Sequence, residues 1–474
     1  MSTSNTLYVD LDGSLIATDL LHESTLKLLR VSPRSLLDLP KWLMQGKARL
    51  KREIASRVDI DVTTLPYRNE VVQFVRDAKA SGRRTVLVTA SDRQFAQGVA
   101  QHLGLFDDVI ASDGLANISG ARKLQAINAD AEGQAFCYLG DHAVDLDVWR
   151  GADSAAVVSR SSSLLRRASS ATRVEAHIEP PAVPIKRYLY AMRVHQWLKN
   201  ILVFLPLLPV LHELTASVVG HALLAFVAFG LMASGIYVLN DLLDLESDRK
   251  HKRKRFRPFA SGEIPVRTGV MMCLGLCGGS LLLSVLLINL PFLCVLIAYM
   301  LLTTAYSFFL KRRAIVDVFS LASLYTIRVV AGAAATGLPL SLWILSFSLF
   351  IFLSLALAKR YVELSGTPAE VMQMARDRNY HLSDVPLVLA GGVAAGQMAA
   401  LLLCLYLQDQ QMLERYAQPH ALWILVPVFL FWIMRIWLKA VRHALHDDPV
   451  VFAARDWVSR LSVGIAAVAF WFAG

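Results

Sequence analysis

"NDLLDLESDRKHKRKRFRP", residues 240–258, follows directly on a long apolar run and sets four acids in nine residues against seven Lys or Arg in the next nine. Asn240, Asp244 and Asp248 fall at i, i+4 and i+8, which predicts one face of a helix leaving the apolar run. Asp241 lies beside them, three residues from Asp244. Acids at the end of a membrane span cost free energy unless they bind something, so their default reading is functional. Carboxylates without Cys or His point to Mg²⁺, which takes oxygen ligands and shares them with substrate phosphates. Lys252, Arg255 and Arg257 would then meet those phosphates. Other charges of the basic run serve as membrane anchors or attract anionic lipid. An ion-paired helix end is the structural alternative for the acids.

Outward from this stretch, nine apolar runs are long enough to be candidate spans, at about 200–212, 216–240, 267–288, 291–309, 314–336, 341–358, 385–407, 421–440 and 457–473. The loops after the second, fourth, sixth and eighth are basic, as in "KRR" and "KRYVEL", whereas the alternate loops carry a single Arg415. The positive-inside rule then puts every basic loop and the N-terminal half on the cytoplasmic side of an inner membrane, with the C-terminus outside. No apolar signal core precedes "TLYVDLDGS".

At 474 residues the chain exceeds one typical domain, and 55% hydrophobic with 18% charged residues averages two unlike halves. The net charge of +10 sits mostly in loops between spans, which argues against a nucleic-acid partner. The five cysteines, at 137, 273, 277, 294 and 404, form no CxxC pair and read as small core residues.

The front half carries three strand-like runs ending in polar groups: "TLYVDLDGS" in Asp10 and Asp12, "RTVLVTAS" in Thr89, and "AFCYLGDHAVD" in Asp141 with Asp145 four residues on. Parallel α/β sheets bind ligands at strand carboxyl ends, so these groups converge on one site, with Lys123 supplying a cation. At these residues the sequence resembles the haloacid dehalogenase superfamily of phosphatases, over about residues 5–177. The resemblance implies that Asp10 forms an aspartyl-phosphate and that Asp12 protonates the leaving group and then activates water. It also implies that Thr89 and Lys123 hold the phosphate, that Asp10, Asp141 and Asp145 bind Mg²⁺, and that residues 15–80 form a small helical cap. Ser14 stands where that superfamily more often has Thr. A Pro-rich linker at 179–184 and an interfacial helix, "IKRYLYAMRVHQWLKN", lead into the membrane. The expected domains are residues 1–178, a connection at 179–196, and residues 197–474.

The membrane half resembles the UbiA superfamily of intramembrane prenyltransferases, whose first motif, N-D-x-x-D-x-x-x-D, is complete here as "NDLLDLESD". The resemblance implies a nine-helix all-α membrane domain beside the α/β front domain, with Asp241, Asp244 and Asp248 as Mg²⁺ ligands. The superfamily's second acidic motif, D-x-x-x-D after the sixth span, is replaced by "LALAKRYVELSG"; Asp377 and Asp384 further on have the wrong spacing. That substitution, with "RVHQWLKN", "YSFFLKRRAIVDV", "IRVVAGA" and a late "DDPVVFAARDW" holding Asp448 and Asp456, resembles the decaprenyl-phosphate phosphoribosyltransferase branch. This likeness implies phosphoribosyl diphosphate as donor and a polyprenyl phosphate as acceptor. It makes Asn240, Lys199, Tyr306 and Arg328 substrate-binding, and Lys311, Lys359 and Arg360 cations for the donor's second phosphate. For Arg328, within the fifth span, pairing with a carboxylate is the alternative. The competing functions are an aromatic-ring prenyltransferase of the same superfamily and a transporter with a regulatory soluble domain. Charged clusters at span ends rather than at the midplane favour an enzyme.

Overall fold

The computed structural model describes residues 6–367, 371–372, 378–445, 452–453 and 455–474. The chain folds as two compact units, Met1–Met192 with Tyr237–Cys273, and Arg193–Ile236 with Leu274–Gly474. The acidic motif and its basic run thus fold with the N-terminal half.

In the first unit a six-stranded parallel sheet has the order β3-β2-β1-β4-β5-β6. Its strands are β1 Thr6–Val9, β2 Thr85–Asp92, β3 Asp108–Ser112, β4 Phe136–Gly140, β5 Ser154–Val158 and β6 Arg173–Ile178. Alternation along the buried strands feeds two cores. Leu7 and Val9 face one with Leu87 and Leu139, while Tyr8 faces the other with Val86, Val88 and Tyr138. The helices that matter here are α1 Leu20–Val31, α2 Lys47–Ala55, α3 Asn69–Ala80, α4 Arg93–Leu103, α5 Ala121–Ala131, α6 Ser162–Ala171 and α7 Ile185–Ala191. α1 and α2 belong to the expected cap, and α1 begins where Asp19 caps the amides of Leu21 and His22. The strand order reverses between β1 and β4, the crevice where doubly wound sheets hold ligands.

The later helices are α8 Ala216–Leu243, the short, charged α9 Leu245–Lys250, α10 Val266–Leu287, α11 Leu290–Phe308, α12 Val316–Thr336, α13 Leu342–Leu364, α14 Val385–Leu407, α15 Leu425–Val441 and α16 Trp457–Ala473. Among the described residues eight helical stretches are long and apolar enough to cross a membrane, and α16, at 17 residues, is a ninth, shorter apolar helix. The first of the eight, within Val194–Glu213, is a tight helical segment with Pro206 and Pro209 inside it and a break at Val210. The molecule is therefore a polytopic membrane protein with a parallel-sheet α/β domain in its N-terminal half. Within the second unit helices meet through hydroxyls and small residues: Ser354 donates to the Gly392 carbonyl at 2.7 Å and accepts from Trp437 Nε1 at 2.9 Å.

Candidate active sites

Asp10 follows β1 and Asp141 follows β4, and these strands pair in parallel register from Thr6 opposite Phe136 to Val9 opposite Leu139. The ladder therefore brings the two strand ends together. With Asp145, from the turn after β4, each offers an oxygen such that all three lie within 4.8 Å of one another. Lys123, buried on α5, donates to Asp10 Oδ1 at 2.8 Å and to the Tyr138 hydroxyl at 2.7 Å, and lies 3.8 Å from Asp145. Gly13 passes this cluster with φ +78°, and a Cβ there would sit 2.2 Å from Asp141 Oδ2; only glycine fits.

Burial beside other carboxylates raises the proton affinity of Asp10 and Asp141. Asp10 is pushed up to about 7 by burial and by the Asp145 charge, against the pull of Lys123. Asp141 is pushed well above the carboxylate range by burial and then by Asp10 and Asp145. Burial works against the Lys123 ammonium, yet Asp10 and Asp145 hold its pKa above the usual value. An all-oxygen donor set short of positive charge suits a hard dication such as Mg²⁺. Asp145 is the least available ligand: Oδ1 accepts from the Tyr138 hydroxyl at 2.8 Å, and Oδ2 accepts from the amides of Asp141 and His142.

Asp12 is held back from this cluster. Its Oδ1 accepts from the Leu20 amide at the start of α1 at 2.8 Å, and its Oδ2 accepts from Ser91 at 2.6 Å and Thr89 at 3.3 Å. Burial, then the neighbouring Asp19, raises its pKa, which favours the protonated form a general acid needs. Lys51, on α2, reaches the Ala90 carbonyl at 2.6 Å and Asn117 at 3.0 Å. Sequence reading missed Tyr138, Ser91 and Lys51.

The acidic motif departs from a single helical face. α8 ends at Leu243, and Asp244 adopts φ −102°, ψ 12° before α9 resumes. The break regroups the side chains: Asp241 and Asp248 share Arg257 Nη1, at 3.1 and 2.7 Å, while Asp244 meets Arg30 of α1 at 2.8 Å. Burial raises the pKa of Asp248 against the pull of Arg257. Arg257, expected on a phosphate, thus bridges two motif acids. Lys252 and Arg255 are exposed, with Arg255 over the Phe256 ring.

In the second unit Arg360 also departs from expectation. It is 1% exposed, its Nε donates to Asp317 at 2.6 Å, and it pairs with Glu363. Two carboxylates neutralise it, so it is no free phosphate ligand. Asp317, which sequence reading passed over in "AIVDV", also accepts from Tyr380 at 2.6 Å and lies 3.4 Å from Arg378, which in turn reaches Tyr306 at 3.0 Å. Lys311 and Lys359 are half-buried. Arg328 is buried without a carboxylate partner among the described residues. Its Nε donates to Asn200 at 2.9 Å, Nη2 lies 3.3 Å from the Tyr299 hydroxyl, and Phe229, Tyr299 and Tyr325 surround it. Lys199 lies over the Tyr325 ring, and Asn200 Nδ2 is buried with no hydrogen-bond partner among the described residues. An apolar cavity of about 690 Å³ lies between Leu202, Leu205, Phe347, Phe429 and Val463, with Arg460 among its lining. Asp456 pairs with Arg435 at 2.6 Å; Asp448 and Asp377 lie outside the described residues.

Residues 208–472 match the UbiA prenyltransferase family, and residues 8–150 match the haloacid dehalogenase-like hydrolases. The chain is 38% identical to the uncharacterized protein y4nM of Sinorhizobium fredii, an alignment covering 98% of this chain and 90% of that one. It is 35% identical to the nodulation protein NoeC of Azorhizobium caulinodans, over 59% of this chain and 91% of the relative. Against decaprenyl-phosphate phosphoribosyltransferase of Mycobacterium tuberculosis it is 36% identical over 190 residues, 39% of this chain and 63% of that enzyme.

Proposed function

The chain belongs to the UbiA prenyltransferase family and carries a haloacid dehalogenase-like hydrolase domain at its front, and on that premise we propose that it is a two-step membrane enzyme. Its membrane domain, residues 197–474, transfers 5-phosphoribose from phosphoribosyl diphosphate to a polyprenyl phosphate. Its N-terminal domain, residues 1–178 on the cytoplasmic side, then hydrolyses the 5-phosphate of the lipid-linked product, a building block for envelope polysaccharide.

The observation that carries this reading is one of composition at two places. A complete acidic motif shares the chain with a complete phosphatase constellation, while the end of α13, where a second acidic motif would stand, bears Lys359 and a neutralised Arg360. A prenyl diphosphate needs cations at one place; phosphoribosyl diphosphate carries phosphates at two. Asp241, Asp244 and Asp248 would hold Mg²⁺ for the donor, with Asn240 on the donor itself, and bound Mg²⁺ would neutralise the departing diphosphate. Lys252 and Arg255 take the diphosphate, Lys311 and Lys359 the 5-phosphate, and Tyr306 the ribose. An acceptor phosphate oxygen attacks C1, the C1–O bond to diphosphate breaks, and diphosphate leaves with the electron pair. The acceptor is already an anion, so alignment replaces a general base. Lys199 and Arg328 receive its phosphate, and the 690 Å³ apolar cavity receives part of its hydrocarbon.

In the hydrolase domain Asp10 attacks phosphorus while Lys123 and Thr89 hold the phosphate oxygens and Asp12 protonates the departing alcohol. Asp12 then takes a proton from water as it opens the aspartyl-phosphate. Mg²⁺ would rest on Asp10 and Asp141, bracketed by Asp145. Membranes containing the protein, given donor labelled in the ribose and a polyprenyl phosphate, should move label into the lipid phase. Label that stays aqueous, with productive use of a prenyl diphosphate and an aromatic acceptor, would reassign the transfer step.

A further inference from the structure

The motif segment and the phosphatase cap are joined by charge. Arg249 of α9 makes a two-pronged pair with Glu23 of α1, at 2.8 and 2.6 Å, with side chains only 6% and 7% exposed. Glu23 also accepts from Thr18 at 2.6 Å, and Arg249 Nε donates to the Ala260 carbonyl at 3.0 Å. Gly262, at φ +75°, comes so close to the cap that a Cβ would lie 2.8 Å from the Ala17 Cβ and 2.9 Å from that of Pro66. Lys27 meets Glu246, and Lys250 meets Asp61 at 2.9 Å. Buried charges left unpaired are strongly unfavourable, so the Glu23–Arg249 pair fixes α1 on the motif.

That fixation presents Arg30, in the last turn of α1, to the transferase motif. Its Nη1 donates to the Leu243 carbonyl at 3.2 Å and to Asp244 Oδ1 at 2.8 Å, while its side chain stays 41% exposed. A guanidinium has five N–H donors, and these two contacts involve Nη1 alone. At the opposite end of the same helix the Leu20 amide holds Asp12. We propose that Arg30, a residue of the phosphatase domain, belongs to the transferase's donor site and binds the diphosphate there. α1 thereby serves both reactions, with Asp12 at its start and Arg30 near its end, about 15 Å apart along the helix axis. This rests on the reading of Asp244 as a ligand for the donor's magnesium.

The probe is magnesium diphosphate, the leaving group of transfer from any diphosphate donor. It is titrated calorimetrically into the full chain in lipid nanodiscs, with Asp10→Asn to silence hydrolysis and Asp10→Asn/Asp248→Asn as the blank. Removing one charge-assisted contact should weaken binding about tenfold in Arg30→Ala. Arg30→Lys should recover most of it, and Lys250→Ala, which loses only exposed pairs, should match the parent. In the transfer assay the donor KM of Arg30→Ala should rise by a similar factor with kcat little changed. Unaltered diphosphate affinity in Arg30→Ala would overturn the proposal. So would an equal loss in Lys250→Ala, because docking in general would then carry the effect. Failure of lipid labelling by the wild type would count against phosphoribosyl transfer while leaving this binding result standing.

Discussion

Two acidic clusters in the first unit are assembled by opposite means. Asp10 and Asp141 are positioned by the backbone of two paired strands, and with Asp145 they crowd three carboxylates around the single ammonium of Lys123. Asp241, Asp244 and Asp248 sit where a helix breaks, and each is met by a guanidinium brought from elsewhere in the chain, Arg257 or Arg30. The first cluster is short of positive charge and prepared for a dication. The second, with two arginines on three carboxylates, is largely compensated, so a dication there must displace arginine contacts. One site is therefore expected to take Mg²⁺ on its own, and the other to take it together with substrate.

Breaking the second cluster should have the larger effect on transfer. Asp248→Asn removes a motif carboxylate and half of the Arg257 bridge, and lipid labelling should fall at least roughly 100-fold. Hydrolysis of a small phosphomonoester by the same protein should be unchanged. Near-normal labelling would show that Asp241 and Asp244 suffice.

The joint between cap and motif comes next. Glu23→Gln leaves the Arg249 charge buried without its carboxylate, and unfolding in denaturant should show a loss of about 3 kcal/mol. Lys27→Ala, at a more exposed pair, should cost below about 0.5 kcal/mol. Equal costs would remove the distinction between the buried clamp and its rim.

The smallest effect is one of pH. Burial raises Asp10 from its ordinary 3.8 to about 7, so between those values the folded protein keeps a proton that the unfolded chain has lost. Stability of the metal-free protein then falls as pH rises through that window. Mg²⁺ takes the place of the proton, so its increment in Tm should be a few degrees larger at pH 8 than at pH 6. An increment independent of pH would contradict the crowded, proton-binding cluster.

How much of this was legible depended on how each residue is placed. Strand-end motifs announce themselves because the parallel ladder brings strand ends together: Asp10 and Asp141 directly follow paired strands and Lys123 reaches Asp10, although β2 runs on past Thr89 to Asp92. The apolar runs likewise match the helices to within a few residues, since span length is set by bilayer thickness. Tyr138 and Ser91 were hidden because a hydroxyl within a buried strand reads as core until its partner is known. The i, i+4, i+8 spacing of the motif gave no sign that the helix breaks at Asp244. Arg360 looked like a phosphate ligand because its partner Asp317 lies 43 residues earlier, and no local pattern links them.

In the proposed sequence one chain performs transfer and then dephosphorylation. Donor carrying ¹⁴C in the ribose and ³²P in the 5-phosphate tests it directly, with lipid extracted during turnover in the presence of Mg²⁺. In the wild type the lipid phase should gain ¹⁴C and lose ³²P as phosphate appears in the aqueous phase. In Asp10→Asn both labels should enter the lipid together and remain there. Wild-type lipid that keeps both labels in the donor's ratio, while the folded N-terminal domain still cleaves a small phosphomonoester, would contradict the coupling.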